Sequence, residues 1–216
     1  MSTHADSAER ARAGPRRVYV GGAPGCGKTS LLEQLIPLFI ARGMNIAVIS
    51  RGDAEGDEAQ RLRYSGLIAP ERVTARQNGV QRRDRVSFDD AAVRALARQF
   101  AGLDLVLLEC ATNDLLRAAA AATRNFSVLV SDVAGAAELC LAPVSAVAIG
   151  CDVLVINRAD PELRQPIELH RVAEQLTALR GGRAPLLANC LSGEGIDAVR
   201  AQIVLALDPF GAFGGP

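Results

Sequence analysis

The sequence predicts an α/β fold of three layers, in which a mostly parallel β-sheet is covered by helices on both faces. Short runs rich in β-branched residues alternate with longer segments that repeat apolar residues at helical spacing. The short runs are almost continuously apolar, which is typical of parallel strands buried on both faces. The chain has 216 residues and a hydrophobic fraction of 49%, so it is long enough to build one such domain.

Six segments are predicted as strands and three as helices. The strands are 17–22, 45–50, 103–109, 126–132, 152–157 and 184–189, and the helices are 28–43, 89–102 and 195–207. The first helix ends at Gly43, and we expect Pro37 to kink it. The predicted domain spans residues 16–208, between a polar, disordered N-terminal tail (1–15) and a glycine-rich C-terminal tail (209–216).

Charge and cysteine content exclude several classes of partner. The formal net charge is +0 and the pI about 6.7, so we expect neither nucleic acid nor an anionic membrane surface as a partner. The apolar stretch 133–151 is interrupted by Glu138 and Pro143, and we do not expect it to span a membrane. The five cysteines are widely spaced and form no Cys-x-x-Cys pair, which favours the reducing cytoplasm.

A phosphate-binding loop follows the first predicted strand and opens the first predicted helix. Gly22, Gly27, Lys28 and Thr29 match the pattern G-x-x-x-x-G-K-[ST] in the context that this pattern requires. Lys28 is the only lysine of the chain, and its compact ammonium fits a tight ring of amides better than a guanidinium would. The predicted nucleotide contacts of this segment are Gly22, Ala23, Pro24, Gly25, Cys26, Gly27, Lys28, Thr29 and Ser30.

Magnesium ligands are predicted from the loop and from strand ends. The hydroxyl of Thr29 would bind Mg²⁺, and Glu109, at the end of the predicted strand 103–109, would orient the metal or its waters. Asp53 follows the second strand, where a nucleotide-sensing loop is expected, and Asp57 is its competitor. Lys28 and Glu109 are the predicted catalytic groups.

A guanine-reading segment is predicted after strand 152–157. Asn157 and Asp160 have the Asn-x-x-Asp spacing by which a carboxylate accepts two hydrogen bonds from guanine, so GTP is preferred over ATP. Arg158 occupies the position where a lysine usually packs on the purine, and it can stack on the base instead. The small-residue loop from Asn189 to Gly195 completes the expected pocket.

Several segments, taken together, resemble the nickel-insertion GTPases: urease accessory proteins of the UreG type and the related hydrogenase maturation factor HypB. The segments are "VISRGDAEGDEAQRL", "LDLVLLEC", "VLVSDVAG" and "CDVLVINRADPE". The resemblance implies a P-loop NTPase fold and a slow, Mg²⁺-dependent GTPase that delivers Ni²⁺ to an apo-metalloenzyme. It also implies other accessory proteins as partners and a homodimer controlled by GTP and GDP.

Two departures from the family pattern leave an alternative open. The family's Cys-Pro-His metal motif corresponds here to Gln77-Asn78-Gly79, so no ligand for a transferred Ni²⁺ is identified. Thr112 replaces a glycine that would let the chain approach the γ-phosphate. The alternative function is a divergent GTP-binding scaffold without metal transfer or significant hydrolysis. A small-molecule kinase is a third reading, which would share the phosphate loop but not the guanine reader.

Overall fold

The computed structural model describes residues 14–51, 57–76, 85–115, 125–141, 145–158 and 167–207. The strands in these ranges are β1 Arg16–Gly22, β2 Ile46–Arg51, β3 Val73–Arg76, β4 Leu105–Ala111, β5 Asn125–Asp132, β6 Val153–Asn157 and β7 Leu186–Ala188. The α-helices are α1 Lys28–Ile40, α2 Asp57–Tyr64, α3 Arg85–Gln99, α4 Ser145–Gly150, α5 Ile167–Leu179 and α6 Ile196–Leu207. Two 3₁₀ turns, Pro70–Arg72 and Ala136–Cys140, and a helical segment that starts at residue 112 lie between them.

All the strand pairs of the seven-stranded sheet are parallel, and the strand order is β3-β2-β4-β1-β5-β6-β7. The chain places β4 on one side of β1 and β5 on the other, so the order reverses around β1. Ligands of open parallel sheets bind in the crevice outside the carboxyl ends of the strands at such a reversal. The loop that follows β1 is therefore in the position where a nucleotide is expected.

Successive residues of the central strands enter opposite hydrophobic clusters. Val18 and Val20 of β1 pack with the α1, α2 and α6 side chains, whereas Tyr19 packs with those of α3, α4 and α5. The same alternation holds in β4, where Leu107 and Leu108 lie in different clusters. Both faces of the sheet are therefore buried under helices, and the prediction of a three-layer α/β fold is confirmed.

Helix α1 anchors the phosphate loop to the core. Its buried apolar side chains recur at helical spacing and face the sheet: Leu31, Leu32, Leu35, Ile36 and Phe39. The helix contains Pro37 and ends at Ile40, three residues before the predicted end. A kink at Pro37 stays a prediction. Because this face is fully buried, the first turn of the helix is held firmly against the carboxyl end of β1.

The structure contains one strand that was not predicted and extends another beyond its predicted end. Strand β3 was not predicted, because its sequence "VTAR" is short and half of its residues are polar. It pairs only with β2, at the edge of the sheet, where few apolar side chains are needed. Strand β4 was expected to end at Glu109, but it continues to Ala111, because Cys110 and Ala111 stay in register with Gly21 and Gly22 of β1.

The remaining organisational predictions concern tails and membranes. The predicted C-terminal tail, 209–216, and residues 1–13 of the N-terminal tail lie outside the described residues. Of the helices in the described ranges, none combines the length and the apolar character needed to cross a bilayer. Within the apolar stretch 133–151, the structure has the 3₁₀ turn Ala136–Cys140 and the short helix α4.

Candidate nucleotide and magnesium site

The phosphate loop, residues 22–29, connects β1 to α1 at the carboxyl edge of the sheet. Its tip, residues 23–25, is exposed, while Cys26 is buried beneath it. Gly27 has φ +101°, and a Cβ there would overlap the side-chain amide of Asn157. A Cβ at Gly22 would overlap the carbonyl oxygen of Val130 and the sulfur of Cys26. The loop therefore needs glycine at both positions for close approach, and at Gly27 for backbone conformation as well.

Lys28 begins α1 and lies almost entirely buried at the base of the loop. Its Nζ donates a hydrogen bond to the carbonyl oxygen of Ala23, at 2.9 Å, which draws the ammonium across the loop. The first turn of α1 contains no acidic residue, so the charge of Lys28 adds to the positive end of the helix dipole. This combination of backbone N–H groups, helix N-terminus and ammonium is suited to an anion.

Thr29, Glu109 and Ser50 form a buried cluster of two hydroxyls and one carboxylate. Thr29 Oγ1 donates to Glu109 Oε1 at 3.0 Å, and Ser50 Oγ donates to Glu109 Oε2 at 2.9 Å. The exposed fraction of Glu109 is 1% and that of Ser50 is 0%. The residues come from α1, β4 and β2, which are distant in sequence. The structure therefore brings the predicted pair Thr29 and Glu109 together and adds Ser50 to it.

Opposing effects set the pKa of Glu109. Burial is the largest and raises the pKa above its usual value, because the charged form loses water. The hydrogen bond from Ser50, the charge of Lys28 and the hydrogen bond from Thr29 each lower the pKa, and the nearby carboxylate of Glu58 raises it. A divalent cation would relieve the cost of this buried carboxylate. The hydroxyl and carboxylate oxygens of Thr29 and Glu109 are hard ligands of the kind that Mg²⁺ prefers, so the residues present fit the metal.

Asn157, at the end of β6, joins the phosphate loop to the loop after β7. Its Nδ2 donates to the carbonyl oxygen of Cys26 at 3.0 Å, and its Oδ1 accepts a hydrogen bond from the N–H of Cys190 at 3.0 Å. The side chain is 3% exposed, so both bonds are shielded from water. Asn157, predicted as a nucleotide contact, thus holds together two loops of the predicted nucleotide site.

Arg158 follows Asn157 with φ 62°, and among the described residues it is the single non-glycine residue with positive φ. Such a conformation is costly for a side chain with a Cβ and is concentrated at functional sites. Its Nη2 donates to the carbonyl oxygen of Gly25 at 3.1 Å, and its Nη1 lies 3.5 Å from Asp132 Oδ2. The guanidinium therefore lies over the tip of the phosphate loop.

The loop from Asn189 to Gly195 is closed by its own backbone. The N–H of Asn189 donates to the carbonyl oxygen of Glu194 at 2.9 Å, and the N–H of Gly193 donates to that of Asn189 at 2.8 Å. Gln34 of α1 donates from Nε2 to the carbonyl oxygen of Cys190 at 2.9 Å. The loop is thus tied to α1 and to β6, next to the phosphate loop.

Some of the predicted site residues cannot be placed. Asp53, Asp160 and the segment Gln77-Asn78-Gly79 lie outside the described residues, so their roles stay predictions. Over the described ranges, no group of three or more His, Cys, Asp and Glu side chains is arranged to hold a metal ion.

Two residues at this edge of the sheet, Ser50 and Asp132, were not predicted from the sequence. A serine at the end of an apolar strand carries no signal by itself, so only its place beside Glu109 reveals it. Asp132 ends β5, and its position as the last residue of an apolar strand was a usable signal. Its Oδ1 accepts a hydrogen bond from the N–H of Gly135 at 2.8 Å, and its Oδ2 faces Arg158.

Comparison with known families and structures supports this fold. The family profile of molybdopterin guanine dinucleotide synthesis protein B (MobB) matches residues 17–116, a range that runs from the second residue of β1 past the end of β4 and includes the phosphate loop and Glu109. The structure of HypB from Helicobacter pylori in complex with nickel superposes with a TM-score of 0.63 at 17% identity, covering 98% of each chain. HypB from Archaeoglobus fulgidus gives 0.62 at 18% identity, covering 94% of this chain and 99% of that one. These structures share the fold.

Sequence relatives identify the family. The chain is 40% identical over 188 residues to the urease accessory protein UreG 2 of Bradyrhizobium sp., covering 85% of this chain and 87% of that protein. It is 35% identical over 192 residues to UreG 2 of Methylobacterium radiotolerans, covering 87% and 91%. The resemblance predicted from the sequence is confirmed: the chain belongs to the UreG family of urease accessory proteins, P-loop GTPases of the nickel-insertion type.

Proposed function

We propose that the chain binds and hydrolyses GTP with Mg²⁺ at the carboxyl edge of its sheet and thereby drives nickel insertion into an apo-metalloenzyme, with urease as the first candidate. The observation that carries the proposal is the placement of Lys28, Thr29 and Glu109 at the loop after β1. Asn157, at the end of β6, is hydrogen-bonded to the same loop through the carbonyl oxygen of Cys26. Each of these side chains is more than nine-tenths buried. Charge is therefore fixed in place before the nucleotide arrives.

The proposed catalytic roles follow from charge and position. Lys28 would leave the carbonyl oxygen of Ala23 and neutralise the β- and γ-phosphates, while the N–H groups of the loop hold the remaining oxygens. Thr29 and Glu109 would hold Mg²⁺, which supplies charge neutralisation at the phosphates. Asp53 is the proposed additional magnesium residue, from the segment after β2.

Base recognition is proposed for the loop after β6. Asp160 would accept the N1–H and N2–H₂ of guanine, Arg158 would stack on the purine, and Asn157 would hold the pocket against the phosphate loop. The guanidinium of Arg158 lies at the tip of the phosphate loop, where it donates a hydrogen bond to the carbonyl oxygen of Gly25. This position supports a role for Arg158 beside the nucleotide.

Partners and location are proposed from the family. The relatives are urease accessory proteins, so we expect other accessory proteins and an apo-urease as partners, with homodimerisation controlled by the bound nucleotide. The cytoplasm is the proposed location, and the five cysteines, none of which is in a disulfide, suit its reducing conditions.

Nucleotide titration tests the GTPase proposal. We expect GTP and GDP to bind the wild-type chain in the presence of Mg²⁺, GTP to be hydrolysed slowly, and ATP to bind more weakly. Lys28→Ala should lose GTP affinity by at least about tenfold, because charge-assisted hydrogen bonds contribute about 1.5–3 kcal/mol each. Lys28→Arg keeps the positive charge and tests whether the loop requires a compact ammonium in place of a guanidinium. An unchanged GTP affinity in Lys28→Ala would remove the basis of the proposal.

The maturation role is tested by activation of apo-urease. Apo-urease, Ni²⁺, GTP and the other accessory proteins are combined with the wild-type chain or with Lys28→Ala, and urease activity is followed. We expect activation with the wild-type chain only. Activation without GTP turnover would instead favour the scaffold function, for which Thr112, half-buried directly after β4 in place of a glycine, is the supporting observation.

A further inference from the structure

Ser50 is the one member of the buried cluster that the proposed mechanism leaves without a role. It lies on β2, whose register with β4 runs from Ile46 opposite Leu105 to Ile49 opposite Leu108. Continuing this register by one residue along both strands places Ser50 opposite Glu109. Val48 and Leu107 both lie in the cluster on the α1 side, and side chains two residues apart share a face. The hydroxyl and the carboxylate therefore meet on the side of the sheet where α1 begins.

The two oxygens of Glu109 are held by different donors. Oε1 accepts from Thr29 at 3.0 Å, and Oε2 accepts from Ser50 at 2.9 Å. A carboxylate at the end of a side chain can rotate, because this terminal torsion is broad. Rotation would separate Oε2 from Ser50, leaving a charged oxygen unsatisfied where the exposed fraction is only 1%. The hydroxyl of Ser50 thus fixes the plane of the carboxylate and directs Oε1 towards Thr29.

We propose that Ser50 is a positioning residue for Mg²⁺ binding: its hydroxyl holds Glu109 Oε2 so that Oε1 is presented beside the Thr29 hydroxyl. The inference rests on the proposed function, in which Thr29 and Glu109 hold the metal. In this role Ser50 would act through Glu109, the carboxylate to which it donates, and not as a metal ligand itself. Groups that orient a metal ligand in this way change metal affinity by about 10- to 100-fold when they are removed.

The experiment measures how strongly Mg²⁺ and GTP binding are coupled. The dissociation constant of a fluorescent GTP analogue is determined in EDTA and across a Mg²⁺ titration for the wild type, Ser50→Ala and Ser50→Thr. We expect Ser50→Ala to need about 10- to 100-fold more Mg²⁺ to reach half of the Mg²⁺-dependent gain in affinity for the GTP analogue. Its affinity for the analogue in EDTA should be unchanged. Ser50→Thr retains the hydroxyl and should restore the wild-type Mg²⁺ requirement.

Ser127→Ala is the matched control. Ser127 is also 0% exposed and also donates to a carboxylate, Asp152 Oδ2, at 2.6 Å, but it lies near the amino end of β5, away from the phosphate loop. We expect Ser127→Ala to lower stability without changing the Mg²⁺ requirement. If Ser50→Ala does not fold, Ser50→Cys takes its place, because it keeps the volume with a weaker donor, and its Mg²⁺ requirement should rise.

The outcomes separate the two proposals. A wild-type Mg²⁺ requirement in Ser50→Ala or Ser50→Cys, or an equal change in Ser127→Ala, would overturn the positioning role while leaving the GTPase proposal intact. GTP binding by the wild type that is indifferent to Mg²⁺ would contradict the proposed function, and the role of Ser50 would fall with it.

Discussion

Asn157 shows how one buried side chain can couple the two halves of a nucleotide site. Its amide has a donor and an acceptor group, and each is used on a different loop: Nδ2 on the carbonyl oxygen of Cys26 and Oδ1 on the N–H of Cys190. The phosphate loop and the loop after β7 therefore share one support. Asp160, three residues later, has a different proposed role, because a carboxylate distinguishes guanine from adenine.

Substitutions at these two positions should separate support from base recognition. In Asn157→Ala, the Cys26 carbonyl and the Cys190 N–H lose a buried partner, at about 1–3 kcal/mol for each group. We expect a lower free energy of unfolding by urea denaturation and weaker binding of GTP and ATP alike. Asp160→Asn should leave the stability unchanged and relax the preference for GTP over ATP and xanthosine triphosphate. Equal effects of the two substitutions on base preference would show that the base is read elsewhere.

The sequence predicts site residues where a motif fixes both residue type and spacing. The pairing of Thr29 with Glu109 was expected from the phosphate loop and from an acid near a strand end, and the two side chains are hydrogen-bonded. Ser50 could not be predicted in the same way, because its role depends on the register of β2 against β4. That register is set by packing over the whole sheet, which a single sequence does not reveal.

At the scale of elements, the phosphate loop is shaped by what packs behind it. Gly25 and Gly27 both have positive φ, +76° and +101°, but their surroundings differ. A Cβ at Gly25 would meet no atom within 4 Å, whereas a Cβ at Gly27 would overlap the Asn157 amide. Gly25 is needed only for the turn of the chain, whereas Gly27 also leaves room for the side chain of Asn157 at the end of β6.

Alanine substitutions should distinguish these two requirements. Both variants bear the left-handed backbone cost of about 1–2 kcal/mol. Gly27→Ala must also displace Asn157, so we expect a larger loss of stability and a loss of GTP affinity. Gly25→Ala, the control, should show the backbone cost alone in urea denaturation. Equal losses in the two variants would mean that the close approach of Asn157 to the loop has no energetic consequence.

Element boundaries were less predictable than element types. The apolar strands in the middle of the sheet were predicted with small shifts at their ends, because both of their faces are buried and their sequences show it. The edge strand β3 was missed, since "VTAR" is polar enough to lie in solvent. Strand β3 forms because the edge of β2 has backbone groups available for pairing, and the hydrophobic pattern of β3 alone does not predict it.

For the whole molecule, the parallel sheet brings together residues distant in sequence and also buries titratable groups. Burial raises the pKa of Cys26 and Cys151, and it raises that of Cys190 to about 11 from an ordinary value near 9, with the charge of Cys26 as a smaller cause. The unfolded chain therefore releases these protons at lower pH than the folded chain does. Above the unfolded pKa the unfolded state holds fewer protons, so stability falls as pH rises.

We expect the free energy of unfolding to decline between about pH 9 and pH 11, with Cys190 contributing about 1–3 kcal/mol to the decline. Cys190→Ala removes this thiol, so its urea-denaturation midpoint should fall less steeply with pH, even if its stability at pH 7 is lower. Cys140→Ala is the comparison variant: burial also raises the pKa of Cys140, but this thiol is only half-buried, so its removal should flatten the decline less than Cys190→Ala does. If Cys190→Ala and the wild type decline in parallel over this range, the Cys190 thiol does not keep its proton in the folded chain, and other groups, such as Tyr19 with its raised pKa, cause the alkaline loss.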